Sequence, residues 1–210
     1  MERTDLNELH CITPLRNLRS ILEVGILSHV RAAGRPSVSI ANPEVQQLRA
    51  AKRVPGGRML HEYANLYISA RNAMLYQVLG FPARPPTQHL SVCVLGVDTA
   101  VLDLPDVVIT DRNAASILSI FLPSPQGLRN LNRDSVFARY WSDEDPIEAM
   151  RKKECMMAEV LVPDRVPPRY IRQAYACCSA AINEVNRNLC GIEASVKRDL
   201  FFNSGDRYHD

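Results

Sequence analysis

The chain has 210 residues, a formal net charge of +2 and 46% hydrophobic residues. This length suffices for one domain with its own core, and the composition excludes a disordered or fibrous protein. The small net charge excludes a polyanion binder that works through its overall charge, although the basic residues are clustered locally. No apolar run approaches a membrane span and residues 1–5 lack a signal peptide's apolar segment, so we expect one cytoplasmic domain over residues 1–210.

The N-terminal part is predicted to contain a strand and two helices. Residues 9–12 form a short apolar strand that carries His10. Thr13-Pro14 is typical of a helix N-cap followed by proline at the first helical position, and Gly25 ends that helix. Asn42-Pro43 repeats the cap pattern before a second helix that runs to about residue 52.

The middle of the chain alternates strands with short helices. Strands are predicted at residues 63–69, 89–97 and 107–109, with a short helix after residue 71 and another at 111–119. Residues 80–87 are a proline-rich loop, and residues 123–145 are polar and irregular.

The C-terminal part contains one carboxylate inside an apolar strand. Pro146 opens a helix that leads into this strand at residues 157–162, and Glu159 is its only charge. A charge in a core strand costs several kcal/mol unless it is paired or faces a cleft. Two interpretations follow: an edge strand with Glu159 in water, which this stretch alone favours, or a catalytic glutamate at the floor of a pocket.

A last strand at 169–172, an amphipathic helix at 174–189 and a tail that packs on the core complete the prediction. Because the strands are not separated by regular crossover helices, we predict a mixed α+β sheet rather than a doubly wound one. The six cysteines include no CxxC pair, and Cys177 and Cys178 are adjacent. We therefore expect reduced thiols and no metal. GxGxxG, GxxxxGK[ST] and HExxH motifs are also absent.

Four segments carry a family resemblance through their order and spacing. The first three contain His10-Cys11-Ile12-Thr13, Asn42-Pro43-Glu44-Val45 and Tyr67-Ile68-Ser69-Ala70-Arg71-Asn72. The fourth is long: it begins with Ile109-Thr110-Asp111 and ends with Ala158-Glu159-Val160-Leu161-Val162-Pro163. Together they resemble the DarT family of DNA-targeting ADP-ribosyltransferase toxins, over residues 9 to 171. Ile68 and Ala73 stand where the family usually has phenylalanine and proline, which bears on base preference more than on chemistry.

The resemblance implies an ADP-ribosyltransferase fold, in which two small mixed sheets flanked by helices form a cleft for NAD+ as co-substrate. Glu159 matches the family's catalytic glutamate. A fixed carboxylate beside the sugar carbon that nicotinamide leaves stabilises positive charge in the transition state. Arg49 is the candidate for the family's essential arginine and Arg53 is its competitor, since either is able to clamp a pyrophosphate.

The resemblance also assigns other residues to the NAD+ site. They are His10, with the backbone of Cys11 and Ile12, and Leu27 and Tyr67. Each has an ordinary structural alternative: His10 as a histidine satisfied by backbone groups, and Leu27 and Tyr67 as core residues.

The family modifies a base, here expected to be thymidine, in single-stranded DNA. Phosphate contacts are expected from Arg71, Arg139, Lys152 and Lys153, while Trp141 either stacks on a base or holds its loop to the core. The resemblance further implies toxin or phage-defence biology and a macrodomain antitoxin similar to DarG, and we expect a monomer. Two alternatives stay open: another acceptor (guanosine, RNA or protein), and a non-catalytic module that binds single strands.

Overall fold

The computed structural model describes residues 1–80, 91–188 and 191–202. Strands and short helices are interspersed along this part of the chain. The strands are β1 Leu9–Pro14, β2 Ile26–Leu27, β3 Tyr63–Tyr67, β4 Val92–Val97, β5 Val108–Thr110, β6 Phe121–Pro123, β7 Glu159–Pro163, β8 Arg165–Val166, β9 Ile171–Ala176 and β10 Glu193–Val196.

The α-helices are short. They are α1 Leu18–Val24, α2 His29–Ala32, α3 Pro43–Ala51, α4 Ala73–Val78, α5 Arg133–Val136, α6 Pro146–Cys155 and α7 Ser179–Asn188. Single 3-10 turns lie at Arg3–Asp5, Leu15–Asn17, Leu60–Glu62, Thr99–Asp103, Gln126–Asn130, Pro168–Tyr170 and Arg198–Leu200. Within the described residues, none of the helices combines the length and apolar character needed to span a bilayer.

The strands form one large sheet and one small one. The large sheet has eight strands in the order β10-β9-β4-β1-β3-β7-β5-β6, and β2 pairs with β8 separately. Neighbouring strands are antiparallel except β9 and β10, which are parallel. The predicted α+β class is confirmed, but the strands are not divided into two small sheets. The long apolar strands all pair with one another, which leaves only the two-residue strands β2 and β8 for the second sheet.

The two faces of the large sheet have different roles, because successive side chains of a strand point to opposite faces. One face packs into the main hydrophobic core, which includes Leu9, Leu66, Ile68, Val160 and Ile109. On the other face, the strand register aligns His10 with Tyr67, Tyr67 with Glu159, and Glu159 with Thr110. Four adjacent strands therefore place these polar side chains in one row across the sheet.

The predicted helix start at Thr13-Pro14 is wrong. These two residues extend β1, where they pair with Cys93 and Val92 of β4. Helix α1 begins only at Leu18, after a 3-10 turn. Pairing with a neighbouring strand has overridden a local capping pattern, and Pro14 is tolerated because it lies at the end of the strand.

The helix predicted at residues 111–119 is also wrong, because this segment forms turns. Asn113 Oδ1 accepts a hydrogen bond from the N–H of Ala115 at 2.9 Å, and the Asn113 carbonyl accepts one from the N–H of Ser116 at 2.9 Å. Asparagine side chains compete with helical hydrogen bonds in this way. The N–H of Ala114 is directed instead at Glu159.

The C-terminal predictions are partly confirmed. Strand β7 begins at Glu159, so residues 157 and 158 precede it, and helix α7 begins at Ser179 because residues 174–176 complete β9. Phe201 and Phe202 are buried, which confirms that the tail packs on the core. Strand β10 in that tail was not predicted.

No disulfide joins the cysteines within the described ranges, which are Cys11, Cys93, Cys155, Cys177 and Cys178. Residues 81–87 of the predicted proline-rich loop lie outside the described residues, as do His89, Leu189 and Cys190.

Candidate active site

Glu159, the first residue of β7, is completely buried. Its charge is compensated by Arg49, whose Nη1 donates to Glu159 Oε1 at 3.1 Å and to Oε2 at 3.0 Å. The N–H of Ala114 donates to Oε1 at 3.1 Å. Such contacts are what a buried carboxylate requires. Glu159 is therefore neither in water, as the edge-strand interpretation required, nor uncompensated.

The backbone of Glu159 is held as well. Its N–H donates to Thr110 Oγ1 at 3.3 Å, and the Thr110 hydroxyl donates to the carbonyl of Arg112 at 2.7 Å. Thr110 lies opposite Glu159 in the register of β5 and β7. Strand β5 thus holds the backbone of Glu159, while Ala114 in the following turns and Arg49 on the helix Pro43–Ala51 hold its carboxylate, which leaves Glu159 little freedom to move.

Helix α3 places Arg49 over this carboxylate. Asn42 caps the helix by accepting from the N–H groups of Glu44 and Val45, with Pro43 in the first turn. Arg49 lies in the last turn and is only 6% exposed. Arg53 lies beyond the helix, is exposed, and donates to the carbonyl of Gly57 at 2.9 Å. Of the two candidate arginines, the structure brings Arg49 and not Arg53 to Glu159.

Tyr67 lies beside Glu159 in the row on β3. It is buried, and burial together with the negative charge of Glu159 raises the pKa of its phenol, so the side chain is neutral at ordinary pH. His10 lies one strand further, which puts it about 10 Å from Glu159 at normal strand spacing.

Two hollows open beside this row. The large groove has a volume of about 1380 Å³, and its lining includes Arg49, Tyr67, Met74, Trp141 and Lys153. The small hollow has a volume of about 360 Å³, and its lining includes Glu8, His10, Arg71, Arg139 and Arg198. The residues that the sequence assigned to one NAD+ site are therefore divided between two neighbouring spaces.

Comparison with known proteins identifies the family. A family model described as "ssDNA thymidine ADP-ribosyltransferase, DarT" matches residues 10–204. The chain belongs to the DarT family. A DNA ADP-ribosyl transferase–DNA ADP-ribosyl glycohydrolase fusion protein of Thermosipho africanus is 35% identical over 172 residues, which is 80% of this chain and 42% of the relative. A DNA ADP-ribosyl transferase of Thermus sp. strain 2.9 is 30% identical over 177 residues, 80% of each chain. This chain thus spans less than half of the fusion protein.

Solved DarT structures confirm the predicted ADP-ribosyltransferase fold. Thermus sp. 2.9 DarT in complex with ADP-ribosylated ssDNA matches with a TM-score of 0.81 at 24% identity, over 96% of this chain and 100% of that chain. The same Thermus protein in complex with NAD+ matches with a TM-score of 0.75 at 24% identity, over 92% and 96% of the two chains. At 24% identity, these two structural matches show that the fold is shared, and nothing beyond the fold.

The other residues that the DarT resemblance placed in the NAD+ site are found in three different settings. The Cys11 side chain packs in the main core on the opposite face of the sheet, where burial raises its pKa to about 12. Ile12 packs on the same side as Tyr67. Leu27 pairs with Arg165 in the two-stranded sheet, and it lines neither the large groove nor the small hollow. Their roles stay predictions.

Among the DNA-contact candidates, Arg71 is engaged within the protein. Its Nε donates to the carbonyl of Arg139 at 3.0 Å and its Nη1 to the carbonyl of Phe201 at 2.6 Å. Its guanidinium also lies 4.2 Å from the ring centroid of Phe202. These contacts tie the tail to residues 139–140. Arg139 itself is exposed, and its Nε donates to the Tyr140 hydroxyl at 3.2 Å.

Lys152 and Lys153 differ in their surroundings although they are adjacent on α6. Lys152 forms an ion pair with Asp143. Lys153 lines the large groove, with its Nζ 5.8 Å from the ring centroid of Trp141. Trp141 makes edge contacts with Tyr76 and Phe202 and also lines the groove. Both interpretations of Trp141 are therefore compatible with its position.

Several residues at the site were missed by sequence reasoning. The Ala114 N–H and Thr110 lie inside a segment that resembles the DarT family, but their contacts depend on the register between β5 and β7. Arg112 forms ion pairs with Asp111 and Glu154 and lines the large groove. No local signal in the sequence indicates the pair with Glu154, which lies 42 residues away. Within the described ranges, no group of three or more His, Cys, Asp or Glu residues is placed to hold a metal ion.

Proposed function

We propose that this chain is an NAD+-dependent ADP-ribosyltransferase that transfers ADP-ribose to a thymidine base of single-stranded DNA and releases nicotinamide. The observation that carries this proposal is the fully buried Glu159 held by Arg49 beside the large groove. Membership of the DarT family and the Thermus complexes with NAD+ and with ADP-ribosylated ssDNA support it.

Glu159 supplies the electrostatic part of the reaction. Transfer breaks the bond between nicotinamide and the anomeric carbon and forms a bond from that carbon to a base nitrogen, which releases the proton of that nitrogen. Positive charge develops on the sugar as the first bond breaks. A carboxylate already fixed by Arg49 and the Ala114 N–H stabilises this charge without reorganising.

Arg49 has donors that suit a dinucleotide. Its Nη1 makes both contacts with Glu159, and its Nε and Nη2 have no hydrogen-bond partner among the described residues. Since Arg49 lines the large groove, these nitrogens are placed to donate to a pyrophosphate. A guanidinium keeps its protons in proteins. We therefore assign to Arg49 the positioning of Glu159 and of the phosphates, not the removal of a proton from the base.

The large groove offers groups that suit an unstacked base. Met74 and Trp141 give it apolar and aromatic surface, and Lys153 adds a positive charge. A single strand exposes its bases at little cost, so that a ring nitrogen is able to enter such a site. His10 and Tyr67, in the same row as Glu159, are the proposed contacts for the sugar and nicotinamide portions of NAD+.

We extend the proposal to the cellular setting that the relatives suggest. The Thermosipho relative joins a DNA ADP-ribosyl transferase to a DNA ADP-ribosyl glycohydrolase. We propose that a glycohydrolase of the macrodomain type, similar to DarG, reverses the mark made by this chain, which then acts as the toxin of the pair. A cytoplasmic location fits the described cysteines, among which no disulfide is formed.

The experiment compares the wild-type protein with Glu159→Gln. Each is incubated with NAD+ and short single-stranded oligonucleotides that contain or lack thymidine, and the products are read by mass. We expect one added ADP-ribose on thymidine-containing strands and a rate about 10²–10³-fold lower for Glu159→Gln. Glu148→Gln, on the exposed side of α6, is the matched control and should keep the wild-type rate.

Parallel incubations of the protein with labelled NAD+ and with separate DNA, RNA and protein pools test the other acceptors. Label that appears only on protein would reject the DNA assignment. Equal DNA binding with and without NAD+, with no nicotinamide released, would instead favour the non-catalytic module.

A further inference from the structure

Glu8, immediately before β1, has an enclosed carboxylate next to His10. Its Oε2 accepts a hydrogen bond from the Tyr175 hydroxyl at 2.7 Å. Its Oε1 lies 3.3 Å from Lys197 Nζ and 3.5 Å from His10 Nε2. The Glu8 side chain is only 14% exposed. The three donors come from three different parts of the chain and surround one carboxylate.

Gly96 provides the space for this carboxylate. It lies opposite His10 in the pairing of β1 with β4. A Cβ atom at this position would lie 2.1 Å from Glu8 Oε2. The need for glycine is therefore a matter of space, since this carboxylate packs directly against the backbone of β4.

Both ring nitrogens of His10 face oxygen atoms. Nδ1 lies 3.2 Å from the carbonyl of Ile68, which accepts only, so this nitrogen carries a hydrogen. Nε2 faces Glu8 Oε1. Burial opposes ionisation of Glu8, but hydrogen bonds from His10 and Tyr175 and the charges of His10 and Lys197 lower its pKa to about 2. Glu8 is thus an ionised acceptor at neutral pH, and it lies on the Nε2 side of the His10 ring while the Ile68 carbonyl lies on the Nδ1 side.

We propose that Glu8 is a positioning residue that fixes the orientation of the His10 ring in the dinucleotide site. The link to the dinucleotide rests on the proposed function, whereas the pairing of Glu8 with His10 does not. Besides Glu8 and Lys197, the charged residues that line the small hollow are Asp5, Arg71, Arg139, Arg198 and Asp199.

A purely structural role is the competing explanation, because Glu8 also joins β1 to β9 through Tyr175 and to the tail through Lys197. Such a role predicts that loss of the carboxylate lowers stability and leaves the state of the His10 ring unchanged. Positioning predicts a change at His10 itself. The two roles therefore differ in a spectroscopic readout.

The first test records the imidazole nitrogens of the ¹⁵N-histidine-labelled full chain by NMR at pH 7, with His10→Gln to assign the His10 signals. We expect the imidazole nitrogen signals of His10 to differ between the wild type and Glu8→Gln, because the carboxylate that faces Nε2 is lost. Identical His10 signals in the two proteins would overturn the proposal. This outcome does not depend on any activity.

The second test measures KM for NAD+ and kcat separately. We expect Glu8→Gln to raise KM about tenfold, the value of one hydrogen bond to a charged group, and to change kcat less. In a His10→Ala background the same substitution should have no further effect. An equal increase in both backgrounds would show that Glu8 does not act through His10.

Two more variants complete the design. Gly96→Ala displaces the Glu8 carboxylate without removing its charge. It should therefore shift KM and the His10 signals in the same direction as Glu8→Gln does. If the Glu8→Gln protein does not fold, Gly96→Ala takes its place in both tests. Glu23→Gln, an exposed glutamate on α1, should change neither. If the wild type modifies no oligonucleotide, the proposed function fails, while the NMR comparison still decides the role of Glu8.

Discussion

At the scale of single residues, burial separates two arginines that the sequence leaves equivalent. Arg49 and Arg53 are four residues apart in one basic stretch, so one helical face could have carried both. Helix α3 ends at Ala51, however, and only Arg49 reaches Glu159. Removing one partner of a buried ion pair typically costs about 3–5 kcal/mol, because the other charge is left uncompensated. Arg49 is therefore expected to contribute to stability as well as to function.

The matched substitutions Arg49→Lys and Arg53→Lys test this assignment. Lysine keeps the charge but has no planar group able to contact Glu159 and a phosphate at once. We expect Arg49→Lys to lower the rate of ADP-ribose transfer about 10²-fold or more, and Arg53→Lys to change it by less than about twofold, because surface substitutions are nearly neutral. Transfer to a thymidine oligonucleotide and thermal unfolding are measured for both. Equal losses of transfer rate in the two variants would show that pairing with Glu159 does not identify the essential arginine.

At the scale of elements, helix α3 presents one polar face to the large groove. Asn42, Gln46 and Arg49 line the groove, and their spacing of four and three residues places them on the same side of the helix. The helix has only nine residues and is marginal by itself. Its N-cap is therefore expected to matter for the position of Arg49 at the other end.

Substitutions at Asn42 test this coupling. Asn42→Ala removes the acceptor for the N–H groups of Glu44 and Val45, and an N-cap of this kind is worth about 1 kcal/mol. Asn42→Asp keeps the acceptor. We expect the alanine variant to lose about 1 kcal/mol of unfolding free energy in a denaturant titration, together with part of its activity, and the aspartate variant to lose little stability. Equal stability of both variants would show that the cap is not needed.

The elements also show what the sequence was able to predict. Strands with continuous apolar runs, such as β4 and β7, and helices with a proline and a capping residue, such as α3 and α6, depend on local chemistry and were found. The turns at 111–119 were missed because Glu159, distant in sequence, takes the Ala114 N–H. The bond from Arg71 to the Phe201 carbonyl was not predicted, because nothing nearby in the sequence indicates this partner 130 residues away. Contacts of this kind follow from the register and the packed tail.

At the scale of the whole molecule, the net charge is only +2. Electrostatic attraction for DNA therefore has to come from the local arrangement of charged residues. Many surface arginines are paired with carboxylates, for example Arg3 with Asp103, Arg133 with Asp5 and Arg172 with Asp98. Lys153 differs, since it lines the large groove and has no ion-pair partner within the described residues. Its neighbour Lys152 is paired with Asp143. Attraction for a single strand should therefore depend on a few cations near the groove.

The salt dependence of binding to single-stranded oligonucleotides tests this distribution. Each phosphate contact contributes about −0.7 to the slope of log K against log salt for single strands. We expect Lys153→Gln to make the slope shallower by about 0.7, whereas Lys152→Gln, the matched control, should change it little because Asp143 already holds that cation. Arg71→Lys should lower the unfolding temperature, since it breaks bonds to the carbonyls of Arg139 and Phe201, and should leave the slope unchanged. A slope that changes equally in the two lysine variants would show that pairing in the free protein does not decide which cations meet the strand.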